Sequence, residues 1–167
     1  YRPVKSIHFS VYDGLPYAIL GFSVTNQHQV PARITTVNIL EKAKFLPGKE
    51  LKNPQVLRGG AGAEPNRIEN QLGIDAFNNI LATGKIGDER FSLVTGGLQY
   101  RDFLRRVVID GQKGTLTVSI EDPQGKLIEP GTTYDAVDTV FLDFSTTDPF
   151  ASLERYGLAM RTANDAK

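Results

Sequence analysis

Between Tyr17 and Asn26 the apolar residues Leu20, Phe22 and Val24 alternate with Gly21, Ser23 and Thr25, the period-two pattern of a half-buried strand. After the polar break Gln27-His28-Gln29-Val30-Pro31, the run from Ala32 to Leu40 is rich in Ile, Val and Thr, the composition of a second strand. Its parity slips between Ile34 on one side and Val37 and Ile39 on the other, which predicts a bulge near Thr35 and Thr36. Asp13-Gly14-Leu15-Pro16 supplies the turn into this pair, because Gly tolerates positive φ and Pro fixes its own. A shorter strand precedes it, Lys5 to Tyr12, with Ile7, Phe9 and Val11 on one face and His8 on the other.

The pattern then weakens. From Lys44 to Asp88 the chain predicts an irregular excursion, with short strands around Val56, Asn79–Ala82 and Phe91–Thr95. From Leu98 to Ile109 a long strand is predicted, with Phe103, Val107 and Ile109 on one face and Tyr100, Leu104 and Val108 on the other. Asp110-Gly111 opens a hairpin loop, and Thr115 to Glu121 follows with Leu116, Val118 and Ile120 inward. Asp122-Pro123-Gln124-Gly125 reads as a β-turn, and Tyr134 to Phe144 as a last strand. In that strand Val137, Val140, Phe141, Leu142 and Phe144 imply cover on both faces. The chain closes with a helix capped by Asp148, with Pro149 at its first position. Phe150, Leu153, Tyr156, Gly157, Met160 and Ala163 share one face of it, and Leu158 faces away beside Ala151. These elements predict a mainly β protein: an antiparallel β sandwich over residues 1–147, with the excursion at 44–88, and a C-terminal exit or linker helix over 148–167.

Composition narrows the chemistry. Lys+Arg and Asp+Glu both count 19, so no charge excess points to nucleic acid or an anionic membrane. No apolar run is long enough to span a bilayer, and no signal-peptide pattern opens the chain. The absence of cysteine removes disulfides, thiolate metal sites and cysteine nucleophiles together. It fits a reducing compartment and equally a secreted bacterial protein.

The candidates for chemistry are few. Gly59-Gly60-Ala61-Gly62-Ala63 has the composition of a phosphate cradle, but Pro65 follows it instead of a helix start with Lys-Ser/Thr, so it reads as a loop. His8 and His28 are the only histidines and lack the spacing of a metal site, so no cofactor or metal is implied. Arg101, Arg105 and Arg106 form the only basic cluster, read with Asp102 and Asp110 as paired surface charge. Glu121 with Asp122, or Asp138 with Asp143, are the carboxylate pairs open to acid–base work on a glycoside, which needs two carboxylates across a cleft at a set separation. Ser6, Ser10, Ser23, Ser92, Ser119, Ser145 and Ser152 lack a nucleophile elbow. No catalytic residue is assigned on these patterns.

Three stretches carry a family resemblance. Tyr12-Asp13-Gly14-Leu15-Pro16, followed by strands holding Val24-Thr25-Asn26 and Ile34-Thr35-Thr36-Val37, is one. Leu127-Ile128-Glu129-Pro130-Gly131-Thr132-Thr133-Tyr134 is another. The third runs from Phe141-Leu142-Asp143-Phe144 to Asp148-Pro149-Phe150-Ala151-Ser152-Leu153-Glu154-Arg155-Tyr156. Together they resemble the N-terminal β-sandwich domain of melibiase-like glycoside hydrolases, the α-galactosidase and raffinose-synthase clan. The resemblance implies a non-catalytic domain, or a fragment of one, that supports a catalytic (β/α)-barrel absent from this chain. It implies contact with that barrel through Leu158 and the excursion 44–88, with carbohydrate as a further partner. The alternative reading is a stand-alone immunoglobulin-like carbohydrate-binding or adhesion module.

Overall fold

The computed structural model describes residues 2–45, 50–59, 65–71, 73–110, 113–144 and 148–165. In chain order the strands are β1 (Val4–Val11), β2 (Ala18–Thr25), β3 (Ala32–Lys44), β4 (Lys52–Arg58), β5 (Arg67–Glu69) and β6 (Ile74–Phe77). They continue with β7 (Asn79–Ile86), β8 (Glu89–Gly97), β9 (Leu104–Asp110), β10 (Thr115–Ile128), β11 (Thr133–Asp135) and β12 (Val140–Asp143), and the helix α1 (Pro149–Ala163) follows. The large sheet runs β1-β2-β12-β8-β7-β4-β5, with β11 also on β2, and the small sheet runs β3-β10-β9-β6. Every pairing is antiparallel. The fold class is the β sandwich with one C-terminal helix that the alternation predicts.

The main core lies between the sheets. Leu20, Phe22 and Val24 of β2 and Val140 of β12 meet Val107, Ile109, Leu116, Val118 and Ile120 of the small sheet. A second cluster lies on the other face of the large sheet, where Leu81, Val94, Leu98 and Phe141 are covered by Tyr156 and Ala159 of α1. The arrangement is therefore three layers, helix on sheet on sheet. Val140 and Phe141, adjacent in β12, face opposite ways and serve the two cores in turn, as alternation requires.

Several elements differ from the pattern reading. The stretch from Lys44 to Asp88, expected as an irregular excursion with short strands around Val56 and Asn79–Ala82, holds β4 and β7 at those places, and β5 and β6 besides. Its inward residues are single or small, Val56, then Ile74 and Ala76, then Ile80 and Ala82, so the apolar signal marks the extent of these strands poorly and β6 not at all. Asn53, at φ 49, adds a bulge in β4 that breaks its period. The long strand expected from Leu98 begins only at Leu104, because Leu98–Phe103 crosses from one sheet to the other. The last strand is split: β11 and β12 both pair with β2, and the chain between them turns Asp138 into the interior. Val137 and Phe144 are exposed, so cover on both faces is confined to the centre of that strand.

The turn expected at Asp122–Gly125 does not reverse the chain. Glu121 pairs with Thr36 and Lys126 with Ile34, so four residues of β10 loop out opposite Thr35 of β3. This is the bulge that the parity slip of β3 locates, with its extra residues on the partner strand. Arg33 Nη1 holds the loop by donating to the carbonyls of Gln124 (2.7 Å) and Gly125 (3.0 Å). The Asp110-Gly111 loop is described only in part, since Gly111 and Gln112 lie outside the described residues; Asp110 Oδ1 accepts from Lys113 N–H (3.1 Å).

Helix α1 starts as expected, with Asp148 Oδ1 accepting from Phe150 N–H at 3.0 Å and Pro149 at the first turn. Its buried face keeps Leu153, Tyr156, Met160 and Ala163 of the predicted one but is turned toward Ser152 and Ala159. Ser152, Tyr156 and Ala159 are buried, whereas Phe150 is 79% exposed and a Cβ added at Gly157 would meet no neighbouring element within 4 Å. Polar anchors cause the rotation. Ser152 Oγ and Arg155 both donate to the buried Asp143 Oδ2, Tyr156 Oη donates to Gly97 O (2.8 Å), and Asn164 Nδ2 donates to Leu98 O (2.7 Å). The close approach belongs to Gly96 instead, where an added Cβ would stand 2.5 Å from Tyr156 Oη.

Candidate functional site

Titratable groups converge where β8 crosses to β9. Asp138 is fully buried and accepts from the backbone N–H groups of Arg101 (2.8 Å), Asp102 (2.7 Å) and Phe103 (3.0 Å). Arg105, also fully buried, lies 3.3 Å from Asp138 Oδ1 and donates to the carbonyls of Phe103 and Gln99. The Tyr100 ring covers its guanidinium at 5.2 Å. The crossing is thus wound around one ion pair, which satisfies loop groups that a buried connection would otherwise leave unpaired.

A second knot adjoins it at the surface. Asp102 Oδ2 accepts from Lys126 Nζ (3.0 Å) and from Tyr134 Oη. The Tyr134 hydrogen bond, and then that of Lys126, hold the Asp102 carboxyl below its ordinary range. Burial, reinforced by Asp102, pushes the Tyr134 phenol well up. Burial, with Tyr100 beside it, does the same to Tyr156. At neutral pH this leaves Asp102 ionised and both phenols protonated, the reverse of groups poised to exchange protons near pH 7.

The carboxylates open to acid–base work in the sequence each take hydrogen bonds within the fold. Asp138 and Asp143 are both fully buried, Asp138 on the loop crossing and Asp143 under α1, and they serve different layers. Glu121 accepts from Ser119 Oγ (3.2 Å) and Asp122 from Gln124 N–H (2.9 Å), the second as part of the bulge. The arginine cluster is corrected in one member: Arg105 is core, not paired surface charge. Arg106 does pair at the surface, with Asp75, which raises its pKa further. The clue in the sequence was parity, since Arg105 shares the face of Phe103, Val107 and Ile109.

The remaining candidates stay apart. His8 Nε2 and Ser23 Oγ share a hydrogen bond across β1 and β2 (3.2 Å), and His28 Nε2 donates to Arg2 O at 3.4 Å. Among the described residues no three His, Asp or Glu side chains group as metal ligands. Of the Gly-rich stretch only Gly59 is described; Gly60–Ala63 lie outside the described residues, as does Ser145. Gly59 sits where a Cβ would strike Asn79 Oδ1 at 2.1 Å, a close backbone approach. Among the described residues no helix is long and apolar enough to cross a membrane.

Two open grooves flank α1, and sequence patterns gave no sign of either. One, of about 330 Å³, is lined by Tyr17, Ile19, Leu98 and Thr139 with Leu158 and Ala163 of the helix. The other, of about 550 Å³, lies between the first turns of α1 and the outer face of β4, β7 and β8. Comparison with protein-family models, with curated proteins and with solved structures found no match to this chain in any of the three.

Proposed function

We propose that this chain is the non-catalytic N-terminal β-sandwich domain, or a fragment of it, of a retaining α-galactosidase-like glycoside hydrolase. Its role in that reading is to support a catalytic (β/α)-barrel on the same polypeptide. The observation that carries the reading is the anchoring of α1. The segment resembling the family's exit helix is tied to the large sheet through Asp143, Gly97 and Leu98, yet leaves Leu158 49% exposed beside an apolar groove. A helix held that firmly sets the direction of any chain that follows it. Leu158 and the exposed Ile68 of β5, in the segment 44–88, are the contacts proposed for the barrel.

The test is the coding sequence downstream of Lys167, together with an assay of 4-nitrophenyl α- and β-glycosides by this chain and by the longer product. The expected result is an encoded barrel, turnover by the longer protein and none by the chain alone. A frame without a barrel would favour the immunoglobulin-like binding or adhesion module. Turnover by the chain itself, abolished in a folded Asp138→Asn or Asp143→Asn variant, would overturn the non-catalytic role.

A further inference from the structure

The register of the large sheet sets Lys52 of β4 directly opposite Lys85 of β7, and Lys85 directly opposite Arg90 of β8. Directly opposed residues project from the same face with their Cβ atoms about 4.5–5.5 Å apart, and like charges so placed are destabilising. Here that arrangement occurs twice in one row. All three side chains are exposed, and none enters an ion pair among the described residues. A row of this kind lowers the stability of the empty protein and is relieved by an anion.

The row opens into the larger groove beside α1, whose lining among the described residues includes Lys85 and Arg90 but no carboxylate. Polarity changes in order across the floor. Behind the cations come Asn53, presented by the β4 bulge, then Gln55 opposite Thr83, then Leu57 opposite Leu81. The far wall is α1, with the Phe150 ring exposed at the rim.

We propose that this groove binds an acidic oligosaccharide. Arg90 and Lys85 suit a carboxylate or sulfate, the first with a planar fork and the second as a point charge. The Asn53 and Gln55 amides donate and accept, and the Thr83 hydroxyl, whose proton goes to the Phe91 carbonyl, accepts, as sugar hydroxyls require. Phe150 and the Leu57–Leu81 floor take the apolar C–H face of a ring. The volume falls within the usual range for small-ligand clefts, roughly 300–1,000 Å³. β5 pairs with β4 only at Val56–Arg58, which leaves Lys52–Gln55 without a described strand on its outer side, so an acidic peptide is the competing occupant; the amide and hydroxyl groups spread over the floor favour a hydroxyl-rich saccharide. The inference rests on the register and the lining of this chain; a barrel docked on Ile68 would share the edge of the groove.

Two measurements test it. In calorimetric titrations at low salt, trigalacturonic acid or a heparin-derived tetrasaccharide binds the chain, and neutral maltotriose does not. Binding weakens as salt rises, and weakens by about tenfold or more in Lys85→Gln/Arg90→Gln. Phe150→Ala weakens it as well. All three substituted residues are exposed, so far-UV circular dichroism stays unchanged. Separately, Lys85→Gln raises the melting temperature of the ligand-free chain by roughly 1–3 °C, because it removes both opposed pairs at once. The proposal is overturned if neither acidic saccharide binds, if the double variant binds as well as the parent, or if maltotriose binds equally. Tighter binding of hexa-aspartate would reassign the groove to an acidic peptide, and a lower melting temperature in Lys85→Gln would remove the strained row.

Discussion

Asp138 shows how one buried side chain organises a connection. It compensates Arg105 and satisfies three backbone N–H groups of the crossing between β8 and β9. Asp138→Ala leaves the guanidinium charged, buried and unpaired, a change that costs about 3–5 kcal/mol. Chemical denaturation will show that loss in its midpoint; a loss under about 1 kcal/mol would mean that the crossing is not held by the pair. Asp102 makes a pH-dependent contribution. Its folded pKa is depressed by Tyr134 and Lys126, so its stabilisation is present above the unfolded carboxylate value of about 4 and is lost as pH falls through the lower folded value. Asp102→Asn should therefore reduce stability at pH 7 and flatten the acid limb below about pH 4, read from urea midpoints across pH. An acid limb as steep as the parent's would assign it to other carboxylates. At this scale the sequence was partly legible: the parity of Arg105 marked a core position, but its partner lies 33 residues away and no local pattern joins the two.

The helix is the element whose docking depends on tertiary fit. Asp148 and Pro149 announced its start because capping is local chemistry. Its face was read in part, since Leu153, Tyr156, Met160 and Ala163 do pack on the sheet; amphipathic spacing weighs apolar residues alone, whereas Ser152, Arg155 and Tyr156 turn the helix further by hydrogen bonding. Gly96 is the counterpart on the sheet. An added Cβ there would meet Tyr156 Oη at 2.5 Å and Asn79 Cβ at 2.6 Å. Gly96→Ala should cost about 1–3 kcal/mol by overpacking, and less in a Tyr156→Phe background, where the obstructing hydroxyl is gone. Equal costs in the two backgrounds, measured as a double-mutant cycle by thermal melting, would show that the helix does not approach the sheet at Gly96. The β10 bulge belongs to the same scale: the slip in β3 located it, while the Asp-Pro-Gln-Gly composition of the extra residues suggested a reversal that the continued pairing with β3 excludes.

For the whole molecule, the core between the sheets and the smaller one under α1 share β2, β7, β8 and β12, so the layers stand or fall together. Leu158 lies at the edge of that arrangement. Leu158→Ser should leave the melting of the 167-residue chain nearly unchanged, within about 0.5 kcal/mol, and destabilise a longer protein in which a barrel covers it. A large loss in the chain alone would place Leu158 in the core. By itself the sequence determined the antiparallel β class, the strands β2, β3 and β10 and the cap of the helix. Each of these depends on side chains a few positions apart, where alternation and capping act. The strands β5 and β6, the ion pair of Asp138 with Arg105, the final docking of α1 and the cationic row of Lys52, Lys85 and Arg90 were decided only by the tertiary structure. Each depends on which distant strands lie side by side, and register between them is fixed by the packing of the two layers rather than by any pattern within one strand.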